Sequence, residues 1–367
     1  MEGKVSKERK IGIAKVRTPG KVIISGEHSV VYHKSALVMA INLFTEAQVT
    51  VFSREEQPPS IEVKIFQRVS GEVICLYEPG ETNDQKEAKL IEHIIQDCNL
   101  IPQHKITLLV EISSQIPIGA GLGSSAAYSI ALSGALYLGI QLYLGNQCNL
   151  TKASLNHKVS RYADVLERLI HTNPSGVDVA ISLNGGMLTF LKGETPAQNQ
   201  ITLLPDASNS LNMILVNTNK ARNSKLTIEA VMKLRDEQKE RFENLIAKIG
   251  KLTELVIEQY TIPEQQDQLL LLQMIEENHF LLKELGVSCT EIETILQILS
   301  KFGISAKLTG AGGGGCVVGF ITKEQVVEDD SLQKELKQSG FSLFSGIELS
   351  QGGMTFEIST EKEISKL

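Results

Sequence analysis

The stretch Pro117-Ile118-Gly119-Ala120-Gly121-Leu122-Gly123-Ser124-Ser125-Ala126-Ala127 constrains this chain more than any other. Glycines at alternate positions permit positive φ and a close approach of backbone to a ligand. The segment runs straight into Tyr128 to Leu144, which has the length and composition of a buried helix. A glycine-rich loop that ends at a helix N-terminus presents unpaired N–H groups and the positive end of the helix dipole, a site for a nucleotide phosphate. The same residues also fit a plain turn before a core helix, with Ser124 and Ser125 able to cap it. No Gly-Lys-Ser/Thr closes the loop and no lysine falls between Lys105 and Lys152, so it is not a Walker A. The cation for the phosphates must come from elsewhere.

A chain of 367 residues is too long for one core, and two domains are expected, residues 1–207 and 208–367, divided near Leu203 to Ser210. Hydrophobic content of 42% is that of a soluble globular protein. A net charge of −7, without a dense Lys/Arg tract, argues against nucleic acid as the main partner. The five cysteines are scattered and lack any Cys-x-x-Cys spacing, which implies a reduced compartment and no structural zinc. The charged first ten residues hold no signal-peptide core, and a cytoplasmic protein is expected. Gln115 to Thr151 carries no charge, but its glycine, serine and glutamine favour a buried helix over a membrane span. The final Ser365-Lys366-Leu367 reads either as a peroxisomal address or as the chance end of a charged tail.

In chain order, strands are predicted over Ile11 to Arg17 and, after a break at Thr18-Pro19-Gly20, over Lys21 to Ser25. Gly26-Glu27-His28 follows as polar lining for a pocket, and Lys21 is either a surface lysine or an early cation for the site. Further strands are predicted at Ala47 to Phe52, Ile61 to Phe66 and Lys105 to Ile112, with a helix over Gln85 to Cys98 and a solvated turn over Ser53 to Ser60. The last of these strands delivers the chain to the glycine loop, the order that a phosphate site needs.

Val159, Tyr162, Ala163, Leu166, Leu169 and Ile170 follow helical spacing, and Glu167 lies just off their stripe, where position alone favours a solvated carboxylate. Beyond the breaker Asn173-Pro174-Ser175-Gly176, Asp178 is the sole charge between Asn173 and Leu191. It is either a helix cap or a carboxylate that must be paired or bound. A strand over Leu211 to Val216 and a polar loop over Thr218 to Ser224 lead to a long helix from Ser224 to Tyr260, interrupted at Gly250, and to helices over Glu264 to Leu285 and Thr290 to Phe302. Gly310 to Gly315 formally satisfies Gly-x-Gly-x-x-Gly, but the next segment, Cys316 to Ile321, is β-like, which rejects a dinucleotide site.

Three motifs therefore stand in order: Pro19-Gly20-Lys21-Val22-Ile23 with Gly26-Glu27-His28, the 117–127 loop, and Lys307-Leu308-Thr309-Gly310-Ala311-Gly312-Gly313-Gly314-Gly315-Cys316. Together they resemble the GHMP superfamily of small-molecule kinases. Asn173-Pro174-Ser175-Gly176-Val177-Asp178 preceded by Glu167 is similar to its mevalonate kinase branch; Thr18, Lys34 and Thr172 depart from that pattern.

The resemblance implies an α+β, two-domain GHMP kinase fold. The N-terminal domain would be ribosomal-protein-S5-like, the C-terminal one ferredoxin-like with added helices, and the active site would lie between them. It implies transfer of the ATP γ-phosphoryl group to the C5 hydroxyl of mevalonate. Asp178 and Lys21 would be catalytic, Ser125 and Glu167 would hold Mg²⁺, and Glu27 and His28 would lie near mevalonate with them. Ser114 and the backbone of Gly119, Ala120, Gly121, Leu122, Gly123, Ser124 and Ser125 would hold ATP. A homodimer and feedback inhibition by prenyl diphosphates are usual in the family. Whether Asp178 takes the hydroxyl proton or Lys21 activates the hydroxyl stays open at this level.

Overall fold

The computed structural model describes residues 8–54, 60–69, 72–78, 85–101, 103–146, 150–171, 175–195, 198–204, 212–220, 224–262, 266–321 and 330–364. Residues 55–59 of the predicted Ser53 to Ser60 turn, 205–210 of the Leu203 to Ser210 boundary, Thr172 with Asn173 and Pro174 of the breaker, Arg222 and the C-terminal tripeptide lie outside the described residues.

The strands are β1 (Arg9–Ser25), β2 (Ser35–Ser53), β3 (Ser60–Val69), β4 (Glu72–Tyr77), β5 (Lys105–Ser114), β6 (Met187–Leu191), β7 (Gln200–Leu204), β8 (Asn212–Asn217), β9 (Ser305–Leu308), β10 (Cys316–Ile321), β11 (Ser342–Ile347) and β12 (Thr355–Thr360). One sheet orders them β12-β1-β2-β5-β3-β4, with β6 on β2 and β7 on β6. The predicted break at Thr18-Pro19-Gly20 is instead a register shift inside one long strand: Pro19 faces Phe44, and Gly20 faces Ile41. Proline, which donates no ladder hydrogen bond, is tolerated at such an irregularity.

The helices are α1 (Gln85–Asp97), α2 (Ser124–Leu144), α3 (Lys152–Ile170), α4 (Val177–Asn184), α5 (Ser224–Glu237), α6 (Lys239–Thr261), α7 (Gln268–Glu284), α8 (Thr290–Lys301), α9 (Asp330–Gln338) and α10 (Glu361–Ile364). Although α2 is long and apolar enough to cross a membrane, it is a core helix, packed on β1, β2 and β5 and against α3 and α4. It is apolar all round because it is covered all round. A Cβ on its Gly139 would meet Val49 and Leu108 at 3.1 Å, which is how closely helix and sheet approach.

The second sheet orders β11-β8-β10-β9, every pairing antiparallel, with α5 to α8 between β8 and β9 and α9 between β10 and β11. This is the expected ferredoxin-like unit with added helices. The helix break occurs at Gln238, which leaves helical backbone at φ −136°, while Gly250 is buried within α6. Gly250 serves packing: a Cβ there would meet the Lys34 stem at 3.0 Å. The segment 208–367 also contributes to both sheets, because β12 returns to pair with β1 over Gly12 to Arg17. One core cluster joins the halves, with Val22, Ile24 and Leu37 from the first sheet and Leu215, Val318 and Phe320 from the second.

Candidate active site

The loop before α2 takes positive φ at Gly119 (72°), Gly121 (85°) and Gly123 (74°). Between them the side chains of Ala120 and Leu122 turn into the core, 2% and 0% exposed. Buried side chains thus pin the loop at alternate residues while its glycines face a cavity of about 450 Å³. Gly123 caps α2 with no side-chain hydrogen bond, so neither Ser124 nor Ser125 is the cap. The first-turn N–H groups are left for a ligand.

Lys21 brings a cation into the cavity beside the glycine loop. Its backbone N–H donates to Leu122 O at 2.9 Å, which ties β1 to the loop. Its side chain, 4% exposed, ends 3.2 Å from Asp178 Oδ1. Asp178 is in the first turn of α4, whose N-cap is Gly176, so it is not a cap. Its side chain keeps 37% exposure and opens on the cavity. The cavity therefore gathers Lys21, Ser114, Gly119, Gly121, Gly123, Ser124, Ser125 and Asp178. Ser114 is held by Thr45, hydroxyl to hydroxyl, at 2.8 Å.

A Cβ on Gly123 would meet the Lys21 stem at 2.9 Å in a left-handed backbone. Gly123→Ala should therefore lower kcat about a hundredfold by displacing the ammonium, since a misplacement of about 1 Å is enough. Steady-state kinetics check this, and an unchanged kcat would show that the loop does not position Lys21.

Glu167 is buried rather than solvated, 4% exposed in α3. Its Oε1 accepts hydrogen bonds from the hydroxyls of Ser125 and, at 2.9 Å, Ser129. Burial pushes the Glu167 carboxyl up, against the two serines, and the charge of Asp178 adds to the rise. Among the described residues no three His, Cys, Asp or Glu cluster to cage a metal. A hydroxyl and a carboxylate held together under net negative charge fit a hard divalent cation whose other ligands are phosphate oxygens and water.

Glu27 and His28 do not line the cavity. Glu27, 1% exposed, is paired with Lys307 of β9, whose side chain is wholly buried and also donates to Leu308 O at 2.9 Å. Burial pushes the Glu27 carboxyl up and the Lys307 amine down, each opposed by the other's charge. His28 holds φ 60°, and its Nε2 is 3.0 Å from Ala311 O in the third glycine loop. Cys316 N–H donates to Ala120 O at 2.9 Å, so the 310–315 loop braces the 117–127 glycine loop from behind. Lys307→Met would strand a buried carboxylate and should destabilise the fold by about 3–5 kcal/mol, whereas adding Glu27→Gln should recover most of that loss. Denaturant unfolding of the single and double variants checks it; equal stabilities would disprove the coupling.

Residues 88–186 match the GHMP kinases N terminal domain and residues 258–338 the GHMP kinases C terminal domain. Mevalonate kinase of Pyrococcus abyssi is 32% identical over 321 residues, 84% of this chain and 88% of that protein. The chain belongs to the mevalonate kinase family. The human member is 30% identical over 366 residues, 89% of this chain and 90% of its own length. Among solved structures, L. major mevalonate kinase in complex with R-mevalonate superposes with a TM-score of 0.69 at 23% identity, covering 96% of this chain and all of that one. Galactokinase of Lactococcus lactis shares the fold more loosely, with a TM-score of 0.64 at 16% identity, 94% of this chain and 95% of that one. Against this family background, sequence reasoning missed Ser129 and the burial of Lys307. The signal for Ser129 was its place four residues after Ser125, on the same face of α2.

Proposed function

We propose that the protein is an ATP-dependent mevalonate kinase that phosphorylates the C5 hydroxyl of mevalonate, giving 5-phosphomevalonate and ADP. The observation that carries the reading is the Lys21–Asp178 pair at 3.2 Å beside the glycine loop. Phosphoryl transfer asks for an aligned nucleophile and for positive charge around the transferring oxygens. The loop N–H groups of Gly119 to Ser125 cradle the phosphates. Asp178 orients the C5 hydroxyl and receives its proton as the oxygen bonds to the γ-phosphorus and the bond to the β-phosphate oxygen breaks. Lys21 holds the negative charge that builds on the phosphoryl oxygens. Ser125 and Glu167 would hold Mg²⁺, which would supply neutralisation of phosphate charge.

A coupled ADP-release assay with Mg-ATP tests the assignment, offering mevalonate, 5-phosphomevalonate, homoserine and galactose in turn. Turnover with mevalonate alone is the expected result; preference for any of the others would replace the substrate.

A further inference from the structure

The cavity reaches past the phosphate loop to a carboxylate that the reaction above does not use. Glu87, in the first turn of α1, is 6% exposed and lines the cavity with Gln67, Leu76 and Tyr128. Its Oε1 accepts a hydrogen bond from the Tyr128 hydroxyl at 2.8 Å. Its Oε2 is buried and has no hydrogen-bond partner among the described residues. A buried acceptor left unmade is costly, and because Glu87 is a lining residue of the cavity, a ligand bound there is a ready source of the missing donor. Tyr128 follows Ser125 by three residues, on the same face of α2, so the Glu87–Tyr128 pair stands one helical turn beyond the phosphate loop. Leu76, Ile112 and Ile170 supply apolar wall for a flat base in the same cavity.

We propose that Glu87 reads the nucleoside of ATP, its Oε2 accepting a hydrogen bond from the adenine amine or a ribose hydroxyl. The proposal rests on the reading of this cavity as the ATP site. An ionised carboxylate only accepts. It rejects a base with a carbonyl oxygen in place of the amine, and it is left unpaired by a sugar that lacks the hydroxyl.

Glu87→Gln keeps the shape and an oxygen for Tyr128 while replacing an acceptor by a donor. The measurement is kcat/KM for mevalonate phosphorylation with ATP, ITP and 2′-deoxy-ATP in both proteins, beside calorimetric titration of each nucleotide. Wild type should disfavour one analogue by about a hundredfold, ITP if the amine is the donor and 2′-deoxy-ATP if the ribose is. In the variant the KM for ATP should rise about tenfold with kcat little changed, and that discrimination should shrink about tenfold. Identical nucleotide ratios in the two proteins would overturn the proposal, as would a uniform loss with all three, which assigns Glu87 to packing. Failure of the unmutated protein to phosphorylate mevalonate would overturn the reaction instead, and the titrations would still decide Glu87.

Discussion

Asp178→Ala should cost about three to four orders of magnitude in kcat while leaving the Kd for ATP within about twofold. The cause is local: Asp178 reaches the cavity from the first turn of α4, and its loss would remove the proposed proton acceptor but none of the loop N–H groups proposed to hold phosphate. The fold should survive, because the side chain is 37% exposed and the helix cap is Gly176. Asp178→Asn separates orientation from proton acceptance, since the amide keeps the contact to Lys21 but takes no proton. Single-turnover kinetics with parallel nucleotide binding measure both. Turnover of Asp178→Ala near that of the wild type would remove Asp178 from the chemistry.

Lys21→Met should cost about a thousandfold in kcat/KM, or about 4 kcal/mol of transition-state stabilisation. Methionine fills the slot beside Gly123 that the lysine stem occupies, so lost charge rather than lost packing is what the kinetics read. Combined with Asp178→Ala, the losses should be far from additive if the pair acts as one unit. A loss smaller than about tenfold would show that phosphate charge is met without Lys21.

Much of this site is legible in one dimension because its requirements are local. Positive φ at Gly119, Gly121 and Gly123 demands glycine, and the following uncharged stretch must be covered on every side. Gly-Glu-His, the glycine loop and the third glycine run are contiguous, so their order could be read and the family resemblance followed from it. What position along the chain could not rank was Lys21, Glu167 and Asp178. Each is an ordinary charged residue until its neighbours are known, and those neighbours are remote: Lys21 meets Asp178 from the far end of the first domain's sequence.

Burial is likewise a property of the folded whole. Glu167 lies just off an apolar stripe, a position that most often faces water, yet packing of α3 on α2 carries it under Ser125 and Ser129. Glu27 looked like cavity lining, but β9 brings Lys307 against it and closes water out of both. The helix break also moved from Gly250 to Gln238, because the glycine answers to the Lys34 stem rather than to helix propensity.

The sequence by itself determined the glycine loop, the core helix behind it and the three motifs whose resemblance implied the family and a ferredoxin-like second unit. Each depends on backbone freedom, hydrophobic period or contiguous residues. Only the tertiary structure decided which carboxylates face the cavity, which are sealed by a partner, and that the chain's last strand closes the first sheet. Charge placement and strand partnership are set by contacts between residues far apart along the chain, and no local pattern encodes them.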